Sequence, residues 1–310
     1  MKNYFFILFA AGAIQSVVFG GRQTIPLSIE GINLASTVNY LEISFAFAVG
    51  QLISGAVTPL GGVISDKYGS GKTLLLGIVI STLGCFLIPF STTPLMLVLS
   101  IGILSAGGSG IAGLPVIMSA VNKLVPPEKS GMAFGFVNAG GSVGQFLFAP
   151  LAGLMIINYG WQASIFTICA LLLMILPLVW ILRHQPEKKK KIQAGDNLTL
   201  SKALSLAFNT PSYILLISGF FVCGFHVAFI ITHMPGVIVA CGLSVNVTGW
   251  SLAVIGFFNI LGSLYAGWHI SKRSMKIFLS YIYGARAIIV ILFLLSPKDV
   301  TSIMFFSAAL

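Results

Sequence analysis

Gly62-Val-Ile-Ser-Asp66-Lys67-Tyr68-Gly69-Ser70-Gly71-Lys72 is a short charged turn set between two long apolar runs, near residues 37–64 and 72–91. Each run is long enough to cross the roughly 30 Å hydrocarbon core of a bilayer, which takes about 20 residues of helix. The turn ends in Gly69-Ser-Gly-Lys72-Thr73, which looks like the close of a phosphate-binding loop. That loop needs a glycine five residues before Gly71, where Asp66 stands, and a strand before it, where this chain has a membrane-length apolar run. The turn therefore reads as a connection between membrane helices. Composition agrees along the whole chain: of 310 residues, 57% are hydrophobic and 8% charged, with a mean hydropathy of +1.00. A soluble domain carries roughly a quarter charged residues, so a water-soluble enzyme is excluded. An all-α integral membrane protein is expected, because only helices and closed barrels satisfy their backbones in lipid.

Working outward, apolar segments fall near 4–29, 37–64, 72–91, 94–123, 130–157, 161–182, 211–241, 246–270 and 275–296, and a tenth runs from about Ser302 to Leu310. Lys2 and the Ala11-Gly12-Ala13 triplet resemble a secretory signal, but the apolar run continues through Val18 and no polar domain follows, so a retained first helix is expected. Basic residues cluster in alternate loops: Lys67 and Lys72, Lys123 and Lys129, Arg183 with Lys188 to Lys191 and Lys202, and Lys272, Arg273 and Lys276, with Lys2 before the first segment. The loops near 30–36, 92–93, 158–160 and 242–245 hold only Glu30. This asymmetry predicts a cytoplasmic amino terminus in the cytoplasmic membrane, inner or plasma. The formal charge of +10 sits in these loops, which points to a bilayer surface and against nucleic acid. The Lys188–Lys191 run reads as a solvated basic linker, with binding of anionic headgroups as its alternative. Cys85, Cys169, Cys223 and Cys241 lie in or at the end of apolar runs without paired spacing, so neither disulfide nor metal site is expected.

The one long polar stretch divides the chain into residues 1–183, a basic linker at 184–210 and residues 211–310. Gly267-Trp-His-Ile-Ser271-Lys272 weakly repeats Gly62-Val-Ile-Ser-Asp66-Lys67 at the corresponding place in the second part. Two parallel halves with a site between them at the midplane are a transporter architecture. The Gly62–Lys72 segment resembles the signature loop of the major facilitator superfamily. Pro127-Glu-Lys-Ser-Gly-Met-Ala-Phe-Gly, Asn138-Ala-Gly-Gly-Ser-Val-Gly144, Gly160-Trp161, Gly224-Phe-His226 with His233-Met-Pro235, Asn259-Ile-Leu-Gly-Ser263 and Ala285-Arg286-Ala287 resemble its monocarboxylate-transporter and oxalate:formate-antiporter branch. The resemblance implies two six-helix halves, of which the second is truncated here to three full helices and part of a fourth. It also implies that Gly62, Asp66, Lys67, Gly69 and Lys72 form an inner gate. There Asp66 would latch onto a helix start in the other half, by a positive dipole end that attracts carboxylates.

Charges inside a membrane are costly and mark function or a partner. Arg22 and Glu42 are expected at one depth near the outer side. One reading makes them an ion pair; the other makes Arg22 the receiver of a substrate carboxylate. Arg286 lies near mid-membrane, and the resemblance implies packing against neighbouring helices, since ninth helices lie outside the cavity-lining set. Asn138, Ser142 and Gln145 follow an i, i+4, i+7 stripe, and His226 and His233 are expected to share one face of the seventh helix. The two histidines lie about 10.5 Å apart along the axis, too far to chelate one zinc ion. They suit either proton coupling or interhelical hydrogen bonding. Asn259 completes the substrate-site candidates. Gly140 and Gly144 form a small-xxx-small pair for close packing, with a rocking surface as the other use.

The expected function is alternating-access movement of a small organic anion, monocarboxylate- or dicarboxylate-like, with protons as a possible partner or by exchange, and with no cofactor, metal or catalytic residue. A sugar, drug or nucleoside as substrate stays open, as does a non-transporting product with an unfinished second half.

Overall fold

The computed structural model describes residues 4–126, 130–182, 205–206, 208–270 and 275–310. Among them there is no strand, and nine helices are long and apolar enough to cross a membrane. They are α1 (Phe5–Ala35), α2 (Tyr40–Tyr68), α3 (Ser70–Phe90), α4 (Pro94–Asn122), α5 (Ser130–Tyr159), α6 (Trp161–Val179), α7 (Pro211–Ala240), α8 (Val245–Ile270) and α9 (Met275–Leu295). A shorter apolar helix, α10 (Val300–Ala309), follows. The nine apolar runs thus become nine helices. Residues 184–204 and 207 of the basic linker, and Ser271 and Lys272 of the repeat, lie outside the described residues.

The helix limits follow from local chemistry. Asn39 accepts from the Glu42 backbone N–H at 3.0 Å while the Glu42 carboxylate accepts from the Asn39 N–H at 2.9 Å, a reciprocal capping box that starts α2 at Tyr40. Gly69, at φ +93°, makes the turn from α2 to α3 in backbone space that side chains rarely enter. Asp299 caps α10 by accepting from the Ser302 N–H at 2.8 Å, which holds its carboxyl below the usual carboxylate range. Lys298, a basic residue in a loop the charge count expects to face outward, donates to the carbonyls of Phe293, Leu294 and Ser296 and so closes the end of α9.

α1 is a single span but not a uniform one. It is α-helical as far as Gln15, π-helical over Ser16–Gly20 and 3₁₀-helical over Ile25–Ser28 before it resumes at Ile29–Ala35. The π-helical turn lies where α1 crosses α5. A Cβ on Gly20 would come within 2.5 Å of the Gly144 backbone, and one on Gly140 within 2.5 Å of the Gly12 carbonyl oxygen. Gly12, Ser16 and Gly20 thus face Gly140 and Gly144 in backbone contact, the use of small residues that helix association in lipid requires.

α1 to α6 share the largest buried core, which includes Ile14, Ile43, Leu74, Ile117, Ile165 and Leu182. A second core joins Ile230, Met234 and Ile238 of α7 to Ile303 and Phe306 of α10. The two groups meet along α5 and α8, where a Cβ on Gly249 would lie 2.9 Å from the Ala149 carbonyl and one on Gly256 2.8 Å from the Phe146 nitrogen. Leu27, Ala149, Ile231 and Leu252 form a small apolar cluster across the same junction. Gly140 and Gly144 therefore seal α1 onto α5 inside the first group, and another face of α5 meets the second.

Candidate functional site

Five polar side chains stand near the middle of their helices: Arg22 on α1, Gln145 on α5, His226 on α7, Asn259 on α8 and Arg286 on α9. Four of them, all but Arg22, line one cavity of about 800 Å³ enclosed by α1, α5, α7, α8, α9 and α10, to which Gln23 of α1 also contributes. Most of the remaining wall is apolar, including Phe19, Ile230, Ile255 and Phe258. The His226 Nε2, the Gln145 Nε2 and the Arg286 Nε are buried without a hydrogen-bond partner. One contact is made by the Arg286 Nη2, which donates to the Leu310 carbonyl at 3.1 Å. A guanidinium with one acceptor leaves most of its five N–H donors unused.

This placement corrects the expectation that Arg286 packs away from the cavity: α9 presents it on the cavity wall. The cavity reaches Ala266 and Phe278, about a turn from where α8 ends and α9 begins. At the opposite end α1 closes on α7 and α8. There Pro26 to Glu30, Pro235 to Val239 and Val245 to Thr248 leave a gap of only about 10 Å³.

Arg22 does not meet Glu42. α1 continues to Ala35, so Arg22 lies midway along it, and its Nη1 donates to the Ser54 Oγ at 2.8 Å and its Nη2 to the Gln51 Oε1 at 3.2 Å. Glu42 is spent in the first turn of α2, and at 1.5 Å per residue it stands about 18 Å along the axis from Ser54. The expected ion pair is thereby overturned. Around Arg22 is a void of about 20 Å³ that shares Gln23 and Ile231 with the large cavity.

The polar stripe on α5 also divides. Gln145 reaches the cavity, the Ser142 carbonyl faces Gly256 at the α5–α8 contact, and Asn138 is exposed and stands outside the cavity wall. His226 and His233 part as well: His233 lines a separate cleft of about 700 Å³ between α2 and α7, its ring 4.9 Å from that of Phe229. Seven residues return a helix to within about 20° of the same direction, and both histidines stand at the edge between the two faces of α7. One falls to each side.

At the charged turn between α2 and α3, Asp66 lies 4.0 Å from Lys123, just past α4, the one ion pair among the described residues. This contact lies inside the first helix group and does not bear on the latch, whose implied partner, the eleventh helix of the family pattern, is not among the ten helices described. Gly62 has open space around it, whereas its neighbour Gly61 packs against the Ile111 carbonyl. Lys67 lies over the Tyr68 ring at 5.1 Å, and Lys72 is exposed. Sequence reasoning missed Gln23, Gln51 and Ser54; the last two, three residues apart on an apolar helix, are a legible polar pair for a buried cation.

A bundle of apolar helices that holds polar groups at mid-depth, closed at one end and hollow towards the other, belongs to the class of polytopic membrane proteins with a central site. Residues 5–310 match the family model described as the Major Facilitator Superfamily, and the chain belongs to that family. It is 22% identical to monocarboxylate transporter 12 of Homo sapiens over 268 residues, covering 77% of this chain and 52% of that protein. Similarity to the hexuronate transporter of Bacillus subtilis (strain 168) is 25% over 292 residues, covering 87% of this chain and 65% of the relative. Among solved structures, a bacterial homologue of the human lysosomal transporter Spinster superposes with a TM-score of 0.74 at 15% identity, covering all of this chain and 72% of that one. The chain spans about half the length of the first curated relatives it matches. The names of these relatives describe transport, not catalysis.

Proposed function

We propose that this protein moves a small organic anion across a membrane by alternating access of the cavity between its two helix groups. The observation that carries this reading is that Arg22 and Arg286 lie at mid-helix with no aspartate or glutamate within ion-pair reach among the described residues. An unpaired charge in lipid is expensive and marks a substrate path or a missing counter-ion, and an anionic substrate supplies that counter-ion. Relatives named as monocarboxylate and hexuronate transporters both carry organic acids by name, which supports the class without choosing within it. The closed end at Pro26 and Pro235 and the hollow end near Ala266 and Phe278 suit one state of such a cycle.

The test is uptake of radiolabelled lactate, pyruvate, formate, oxalate and glucuronate into proteoliposomes that hold the protein, beside glucose and uridine. Saturable uptake of at least one acid, inhibited by the others, is expected. Saturable uptake of glucose or uridine that no acid inhibits would reject the anion reading.

We further propose that the turn at Lys67 and the linker at Lys190 face the cytoplasm, with Ser36 and Ser244 outside, a reading supported by the distribution of basic loops. In a cysteine-less background, an impermeant thiol reagent added to intact cells should label Ser36→Cys and Ser244→Cys and leave Lys67→Cys and Lys190→Cys untouched. Labelling of Lys190→Cys before lysis would reverse this orientation.

A further inference from the structure

We infer that His226 is the proton-binding group of the cavity, and that its proton and the organic anion bind together through Arg286. This rests on the anion reading above and assigns the residue that would couple it to a proton gradient.

The cavity is walled by six helices, and among the described residues the ionisable or charged side chains that share its wall with His226 are Arg286 of α9, Tyr265 of α8 and Cys223 of its own helix, while Tyr283 of α9 donates to the Gly219 carbonyl outside it. α1, α5 and α10 contribute Gln23, Gln145 and Ser307, which do not titrate, and the last residue, Leu310, brings the main-chain oxygen that accepts from Arg286. No aspartate or glutamate lines the cavity among the described residues. Of the groups present, only an imidazole changes charge near neutral pH without a large perturbation. Tyrosine and cysteine lose a proton well above it, and arginine keeps its own. The second histidine, His233, faces the other cleft with its ring against Phe229 and is separated from the cavity by the body of α7.

Geometry then gives His226 a reason to take a proton only when an anion is present. Its Nε2 is buried and has no hydrogen-bond partner, so neither a carbonyl nor a carboxylate of the protein waits to receive an N–H there. Arg286 on the same wall already supplies one positive charge. Protonating His226 in the empty cavity would put two like charges into one low-dielectric space. An anion seated between them reverses that balance: its oxygens accept from the unused N–H donors of Arg286 and from the Nε2–H of the imidazolium. One proton and one monoanion enter together, and the loaded cavity carries the same net charge as the empty one. Linkage makes the effect reciprocal, so low pH tightens anion binding by the factor by which the anion tightens proton binding.

The experiment uses the purified protein in detergent with lactate, pyruvate, formate, oxalate and glucuronate as probes. Binding is measured by isothermal calorimetry between pH 6 and pH 8, with proton uptake followed in weakly buffered solution. For a bound monoanion the expected results are a Kd that weakens roughly 10- to 30-fold across that range and uptake of about one proton per anion at pH 7.5. In His226→Gln and in His226→Asn the slope should flatten and the proton uptake disappear, while Cys223→Ser keeps both. The inference is overturned if the wild type binds an anion without taking up a proton, a readout that needs no variant. It is also overturned if either His226 variant binds with the wild-type slope, or if Cys223→Ser removes the slope. Failure of every probe to bind at any pH would instead remove the anion reading, and this inference with it.

Discussion

Arg286→Gln is expected to weaken organic-anion binding by roughly 10- to 100-fold while leaving the protein at least as stable to heat as the wild type. The first half follows from the strength of hydrogen bonds to charged groups, about 1.5–3 kcal/mol, at about 1.4 kcal/mol per tenfold in affinity. The second follows from what Arg286 touches: a single backbone carbonyl at Leu310, with its Nε unpartnered. A cation withdrawn from water with most of its donors unused costs stability, so its removal relieves the fold and harms the ligand. Arg286→Lys should recover only part of the binding, since an ammonium keeps the charge and loses the planar fork. Arg22→Gln should also weaken binding but without a gain in stability, because Arg22 holds Ser54 and Gln51 of α2 in the wild type. The measurements are calorimetric binding and melting of the same detergent-purified samples. An Arg286→Gln protein that melts later but binds lactate, oxalate or glucuronate with unchanged affinity would assign Arg286 a purely structural place.

The two arginines also show where sequence reading succeeds and where it stops. The nine apolar runs become nine helices because length and hydropathy alone decide which segments cross a bilayer. Depth along a helix is harder to read. In the sequence the first apolar run breaks at Glu30, which sets Arg22 near the outer side, yet α1 continues to Ala35 and carries Arg22 to its middle. Residue counting sets Glu42 inside α2, although Asn39 followed three residues later by Glu42 is a legible capping box that fixes the start of the helix there. That box removes the Arg22–Glu42 pair from the sequence alone. Arg286 is different. Which side of α9 faces a cavity depends on how α7, α8 and α10 pack around it, and no periodicity within α9 states that. His226 and His233 are beyond reach for a related reason, since a difference of about 20° around α7 sends them to different spaces.

Glycine substitutions should separate the packing of the site from its chemistry, and Gly144 is expected to give the largest loss of folded protein. A Cβ at Gly144 would overlap the Ser16 carbonyl of α1, and the atoms in its way are backbone, which cannot swing aside. Gly144→Ala should therefore cost at the upper end of the roughly 1–3 kcal/mol typical of overpacking, a large share of a total stability of about 5–15 kcal/mol. Gly144→Leu should prevent accumulation of folded protein. Two nearby changes supply the contrast. Gly135 on the same helix and Gly62 near the charged turn would each place a Cβ with nothing within 4 Å, so Ala at either should be neutral or slightly stabilising by helix propensity. Melting temperature and monodispersity in detergent read all three. The outcome bears on function because the same crossing sets the site: a Cβ on Gly20 would lie 2.7 Å from the Gln145 nitrogen, and Arg22 follows Gly20 by two residues. Any variant that opens α1 from α5 must displace Gln145 from the cavity wall and Arg22 from Ser54 together. A Gly144→Ala protein that melts with the wild type would show that α1 and α5 do not meet in this contact, and the placement of Arg22 at mid-depth would fall with it.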